Sequence, residues 1–211
     1  MDWNFETLPA PKRYKLLTGL VVPRPIALVT TISAAGVVNA APFSFFNVLG
    51  EDPPILVISV GHRGKGGEGG EHGELKDTAR NIVASGEFVV HLVDEAIAEQ
   101  MHGCSLVLPP EASEVDRVGF TTTASRMVTP PRIAEAPVAL ECRLHSRVPV
   151  GNHDLFIGRI LWMHAREGLV DPETLRTRME NYRVIGRLHG NRYIRTQDRY
   201  TVEAGAFEIK A

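Results

Sequence analysis

Cysteine is scarce in this chain: Cys104 and Cys142 are the only two in 211 residues, and they form neither a CxxC pair nor a metal-type spacing. That argues against a disulfide framework or a thiolate metal centre, and two buried, reduced thiols are expected. An excess of one charge is also lacking, since the formal net charge is −2 and the pI is about 6.4. With basic residues dispersed, no electrostatic footprint for nucleic acid or an anionic membrane is present. No apolar run approaches the length of a bilayer span, and the opening MDWNFETLPAPKRYKLL lacks the positive-then-apolar pattern of a signal peptide. The expectation is a soluble, cytoplasmic protein. At 44% hydrophobic, the chain can bury one sizeable core, read as a single domain over residues 1–211.

What the sequence does contain is β-forming sequence. The stretch from Arg24 to Asn47, RPIALVTTISAAGVVNAAPFSFFN, reads as two strands joined by a small-residue turn from Ser33 to Gly36. Pro42 has no N–H to give a ladder, which places the second strand at an edge or a bulge. An edge strand with free backbone groups beside Asn39, Ser44 and Asn47 makes a wall for a flat, polar-edged ligand. Upstream, a short helix over KRYKLLTGL is followed by Pro23 and Pro25, which force an extended path around Arg24. Downstream, Asp52-Pro53-Pro54 introduces ILVISVG, apolar on both faces apart from Ser59 and therefore expected to be central.

Residues 61–74, GHRGKGGEGGEHGE, hold a formal GxGxxG match through Gly64, Gly66 and Gly69. A dinucleotide fingerprint needs its last glycine to open an amphipathic helix. Here charged loop continues to Leu75, so a surface loop is expected. His62, His72, Glu68, Glu71 and Glu74 have metal-binding chemistry, but a glycine-rich loop does not preorganise them, and no metal site is expected. A helix then spans KDTARNIVASGE, with Asp77 or Thr78 as N-cap, Ile82 and Val83 turned inward and Gly86 as its stop. Its first turn gathers Lys76, the Thr78 hydroxyl and unpaired backbone N–H groups, which is the chemistry of an anion site. An ordinary capped helix with a surface lysine would carry the same residues.

The remainder reads as the strand FVVHLV, a short helix around EAIAEQMHG, a short helix and irregular connection over 115–133, and three β-type runs. These runs are VALECRLHSRVPV, DLFIGRILWMHAREG and RYIRTQDRYTV, the first two joined by a hairpin turn over Gly151-Asn152-His153-Asp154. A mainly β fold follows, a closed or partly closed antiparallel barrel with peripheral helices, since closure disposes of so many strand edges.

Several motifs occur in one order: PRPIALVTT, N-x-APFS-x-FN, DPP before an apolar strand, KDTxRNI, FVVHLV, Met101-xxx-Ser105, Pro130-Pro131-Arg132, Glu141-Cys142, GxHxxFIG from Gly151 to Gly158, and GRLHGNRY. Together they resemble the flavin-reductase-like family of FMN-binding split-barrel proteins, near the flavoredoxins, over about residues 9–195. The resemblance implies a homodimer that binds FMN noncovalently and reduces it with NADH or NADPH, passing electrons to a redox protein or a monooxygenase. It places Ala41, Pro42, Ser44 and Asn47 along the isoalloxazine, with Thr30, Thr31 and Ser59 as hydrogen-bonding partners of the ring or ribityl chain. Lys76 and Thr78 become phosphate ligands, Arg24 a further candidate for the same anion, and His153 a nicotinamide contact. In place of the family's GDH the chain has Gly151-Asn152-His153, so Asn152 replaces a carboxylate. No Ser-His-Asp or paired-carboxylate set is evident, and cofactor-centred hydride transfer needs none. A flavin-binding electron carrier without reductase activity, and a barrel that has lost flavin altogether, remain as alternatives.

Overall fold

The computed structural model describes residues 1–64, 73–109 and 111–202. The glycine-rich expectation for 61–74, with His72, Glu68 and Glu71, falls mostly outside them. Helix α1 (Ala10–Leu20) leads into β1 (Ala27–Ile32) and β2 (Val38–Phe43), paired antiparallel from Ala27↔Phe43 to Ile32↔Val38. The turn between them closes through Gly36 N–H to the Ser33 carbonyl at 2.9 Å, with Gly36 at φ 81°. Next come β3 (Phe46–Glu51), β4 (Pro54–Gly61), α2 (Asp77–Ser85) and β5 (Glu87–Leu92). Helices α3 (Ala98–Gly103) and α4 (Glu114–Val118) and the two-residue strands β6 (Thr122–Thr123) and β7 (Arg132–Ile133) lead to the long hairpin of β8 (Val138–Val150) and β9 (His153–Ala165). The short pair β10 (Ile185–Arg187) and β11 (Tyr193–Arg195) completes the regular structure.

Seven strands form one antiparallel sheet in the order β2-β1-β5-β8-β9-β4-β3. Its two outermost strands, β2 and β3, are consecutive in the chain and joined by Ser44 and Phe45 alone. Such a link reaches roughly 10 Å, so the sheet must curl until its edges stand side by side. Bulges in β8 between Glu141 and Cys142, and between Leu144 and Ser146, supply bend. The expected single strand AAPFSFFN is thus two strands, broken where the chain crosses from one edge to the other. Pro42 does lie on an edge strand, as its missing N–H requires.

Burial follows the pleat. In β1, Ala27 and Val29 face one apolar cluster with Leu56, Ile58, Phe88 and Phe156, while Leu28 faces a second with Val93, Met101 and Val115 beneath α3 and α4. Strand β4 lies inside the sheet, between β3 and β9, but only Leu56, Ile58 and Val60 are fully buried, and Ile55, Val57 and Ser59 are half-buried. Gly158 is confined to glycine because a Cβ there would overlap the Phe88 ring. On α2 the inward residues are Thr78, Ala79, Asn81 and Ile82, whereas Val83 is 45% exposed. The expectation for Val83 fails because two hydrogen-bonded polar side chains take up the inward arc. The run RYIRTQDRYTV forms only β11, and residues 196–202 have no regular structure. Both cysteines are free and buried, and burial pushes the Cys104 thiol up to about 12. Among the described residues, no helix is long and apolar enough to cross a membrane.

His91 ties the sheet to β7. Its Nδ1 lies 2.9 Å from the Leu28 carbonyl and its Nε2 accepts the Ile133 N–H at 2.9 Å, which fixes a neutral tautomer. Burial first, and the Arg132 charge second, push its pKa down to about 4, although the bond to the Leu28 carbonyl opposes them. The unfolded chain takes up the proton near pH 6.5, so this contribution to stability is complete above that pH and is lost as pH falls toward 4. A loss of about 2 kcal/mol is expected between pH 7.5 and 5. Urea unfolding of His91→Gln should lack that component, and an identical decline in both proteins would refute the assignment.

Candidate functional site

Three adjoining cavities open along the end of β2 and share Pro42 and Phe43. The first, of about 430 Å³, lies between Ala41, Phe43, Arg63, Lys76, Thr78 and Glu114. It faces the start of α2, where the N-cap is Lys76 and no side chain caps the helix. Asp77 takes the first helical position, also lines the cavity, and its carboxylate pairs with Arg63 and, at 2.8 Å, with Arg80. The expected Asp77 or Thr78 cap is therefore replaced by a charge pair, and among the described residues no acceptor is recorded for the N–H groups of residues 77–79. Lys76 is exposed and has no carboxylate at ion-pair distance among them.

Thr78 is 2% exposed, and its hydroxyl oxygen accepts from Asn39 Nδ2 at 3.0 Å, which leaves its own proton to be donated. Behind it, the Thr31 hydroxyl accepts from Asn39 at 3.4 Å and from Asn81 at 3.0 Å. Thr31 thus holds the residue that holds Thr78. Burial raises the Glu114 carboxyl above its usual value, although the Ala40 N–H, at 3.0 Å, works against the shift.

The second cavity, of about 380 Å³, is lined by Tyr14, Phe45, Ser59, His62, Lys76 and His153. Ser59 Oγ and His153 Nδ1 stand 2.9 Å apart. Burial, then the charges of Lys76 and His62, lower the His153 pKa, with Asp154 opposing them, so the ring is neutral at pH 7. Fully buried Asp154 accepts from Arg147 and His62, each at 2.9 Å, and anchors the hairpin turn that presents His153. The third cavity, of about 320 Å³, contains Arg24 and Ser44.

Of the residues singled out in the sequence, Ala41, Pro42, Lys76 and Thr78 meet in the first cavity, and Ser44, Ser59 and His153 line the second. Four lie elsewhere. Thr30 gives its proton to the Pro131 carbonyl at 2.6 Å, and Thr31 is sealed behind Thr78. Asn47 is exposed on β3 and bonds the N–H of Val48, while Arg24 belongs to the third cavity and not to the start of α2. Sequence reasoning missed Arg63, Glu114 and Phe43, and it placed Asn39 on the ligand wall without its bond to Thr78. Asn39, Ala41 and Phe43 share one strand face by period-two alternation, which was signal enough for Phe43.

Residues 19–186 match the family model of the flavin reductase like domain. The chain belongs to that family. This flavin-reductase-like chain is similar to the crystal structure of 2-nitrobenzoate 2-nitroreductase NbaA of Pseudomonas fluorescens, with 40% identity, a TM-score of 0.87 and 100% of both chains covered. It is also similar to nitrilotriacetate monooxygenase component B of Bacillus cereus, with 34% identity, a TM-score of 0.88 and coverage of 96% and 98% of the two chains. A Shewanella frigidimarina protein with a split barrel domain shares the fold at 17% identity, with a TM-score of 0.79 over 97% of this chain and 99% of that one. The curled seven-stranded sheet of this flavin-reductase-like chain is that split barrel.

Proposed function

We propose that the protein is an FMN-binding oxidoreductase that reduces flavin with NADH or NADPH. The observation that carries this reading is the start of α2, which no side chain caps, beside a Lys76 with no carboxylate at ion-pair distance among the described residues, opening directly onto the β2 wall. Lys76, the Thr78 hydroxyl and the N–H groups of residues 77–79 would hold the phosphate, since orphan helix donors and a cation together favour an anion. Ala41, Pro42 and Ser44 would line the isoalloxazine. The chemistry supplied by the flavin is hydride acceptance at N5 from a nicotinamide. This chain's task is to bind and orient: Asn39 aims the Thr78 hydroxyl, and the neutral His153, braced by Ser59, offers a hydrogen bond without adding charge beside the nicotinamide.

The reading includes a homodimer. Val48 and Leu49 on β3 are 55% and 54% exposed, and Leu20 and Val21 at the end of α1 are 73% and 60% exposed, apolar area that a second copy would cover. Asn47 lies on that same β3 edge, so its route to a cofactor is across such an interface. The expected result is rapid loss of the visible flavin absorbance when protein, FMN and NADH or NADPH are mixed without oxygen. No acceleration over the free components would overturn the reductase. Tight FMN retention with reduction only by a protein donor would instead select an electron carrier, the reading favoured by Asn152 in the turn before His153.

A further inference from the structure

The third cavity is lined by Tyr14, Arg24, Phe43, Ser44, Arg187 and Tyr193, and among the described residues no aspartate or glutamate borders it. Arg24 is 7% exposed. Its guanidinium donates to the carbonyls of Thr18 at 2.7 Å, Val21 at 2.9 Å and Leu188 at 2.9 Å, and to Ser44 Oγ at 3.2 Å, so every recorded partner is neutral. Arg187 lies 4.7 Å over the Tyr193 ring and donates to the Tyr193 hydroxyl. Burial lowers the Arg24 pKa and the nearby Arg187 charge adds to the effect, with Tyr14 opposing it. Among the described residues, two guanidinium groups therefore line one cavity without a carboxylate beside it, which favours an anion there.

The geometry selects among anions. Four bonds hold Arg24 rigid, while most of the donors of Arg187 are engaged by no described side chain. A planar guanidinium with free N–H groups matches a carboxylate edge. Tyr14, Phe43 and Tyr193 add aromatic surface to the cavity, suited to a flat ligand. At about 320 Å³ the cavity has room for one ring with its carboxylate. It shares Pro42 and Phe43 with the first and second cavities, and Ser44 with the second. We propose that this cavity binds the carboxylate of a small planar organic acid, the second substrate of the enzyme, against the wall that lines the flavin. The binding site stands on its own geometry, whereas its role as a substrate site rests on the FMN reading above.

The test is calorimetric titration of the full chain, with and without FMN, using benzoate, its neutral counterpart benzamide, inorganic phosphate and NADH. Benzoate should bind at least about 10-fold more tightly than benzamide, and Arg187→Gln should erase that preference while FMN affinity is unchanged. Arg187→Lys should restore part of it, and the thermal midpoint of each variant shows that it folds. Equal binding of benzoate and benzamide, or a preference indifferent to Arg187→Gln, overturns the proposal. So does a cavity that takes phosphate or NADH in an Arg187-dependent manner but not benzoate, which would make it a nucleotide subsite. Arg187-dependent benzoate binding in a chain that fails to bind FMN supports the site and removes the flavin reading; FMN binding without benzoate binding does the reverse.

Discussion

Glu141→Leu should lower the unfolding free energy at pH 7 by about 3–5 kcal/mol. Glu141 is fully buried on β8, and its carboxylate accepts the Arg126 N–H at 2.8 Å and the Met127 N–H at 2.6 Å, with His164 Nε2 at 2.6 Å. Burial alone would raise the carboxyl, but the two backbone bonds and His164 bring it below its ordinary value. Leucine keeps the volume and orphans both N–H groups, so the connection over residues 124–131 loses its anchor. A fall in thermal midpoint of roughly 10 °C corresponds to this loss in a chain of such length. Glu141→Gln retains an acceptor and should cost about half as much. Because the folded carboxyl titrates below its unfolded value of 4.5, the stabilisation is complete above that pH and fades as pH falls through the folded value. Denaturation curves at pH 7 that coincide for wild type and Glu141→Leu would show that the clamp contributes nothing.

Glu141 also marks the limit of what the sequence makes legible. The Glu141-Cys142 pair stands out in an apolar run, yet its role depends on a loop some fifteen residues upstream. Local pattern succeeds where one element decides the outcome: Pro42 on an edge strand, the two-residue turn before His153, and Gly86 ending α2 in a left-handed conformation with φ 71°. It misleads where the chain changes partner without changing composition. Ser44 and Phe45 continue a β-type run, but the strands on either side of them lie at opposite ends of the sheet order. Apolar periodicity likewise assigns Val83 to the core, because it cannot show that Asn81 is drawn inward by Thr31. The pairing of Arg24 with Arg187 is beyond any local reading, since the two lie far apart in the chain and meet through a bridge whose Arg24 N–H to Arg187 carbonyl bond is 3.0 Å.

Lys76→Ala should weaken FMN binding roughly 10- to 100-fold, the value of one charge-assisted contact to a phosphate. The decisive comparison is with riboflavin, which has the same ring and ribityl chain and no phosphate. Its affinity should be unchanged, and the wild-type preference for FMN should weaken as salt is raised, because Lys76 is exposed. Folding should be indifferent, since no described hydrogen bond or ion pair depends on the Lys76 side chain. Thr78→Val removes a neutral donor and disturbs Asn39 behind it, so it should weaken both flavins, with the larger loss for FMN. The same substitution of Lys76 carries an internal check: its charge is one cause of the lowered His153 pKa, so the titration of His153 followed by NMR should move upward in Lys76→Ala. Equal losses for FMN and riboflavin would remove Lys76 from the phosphate site, and the start of α2 would then be an ordinary uncapped helix end.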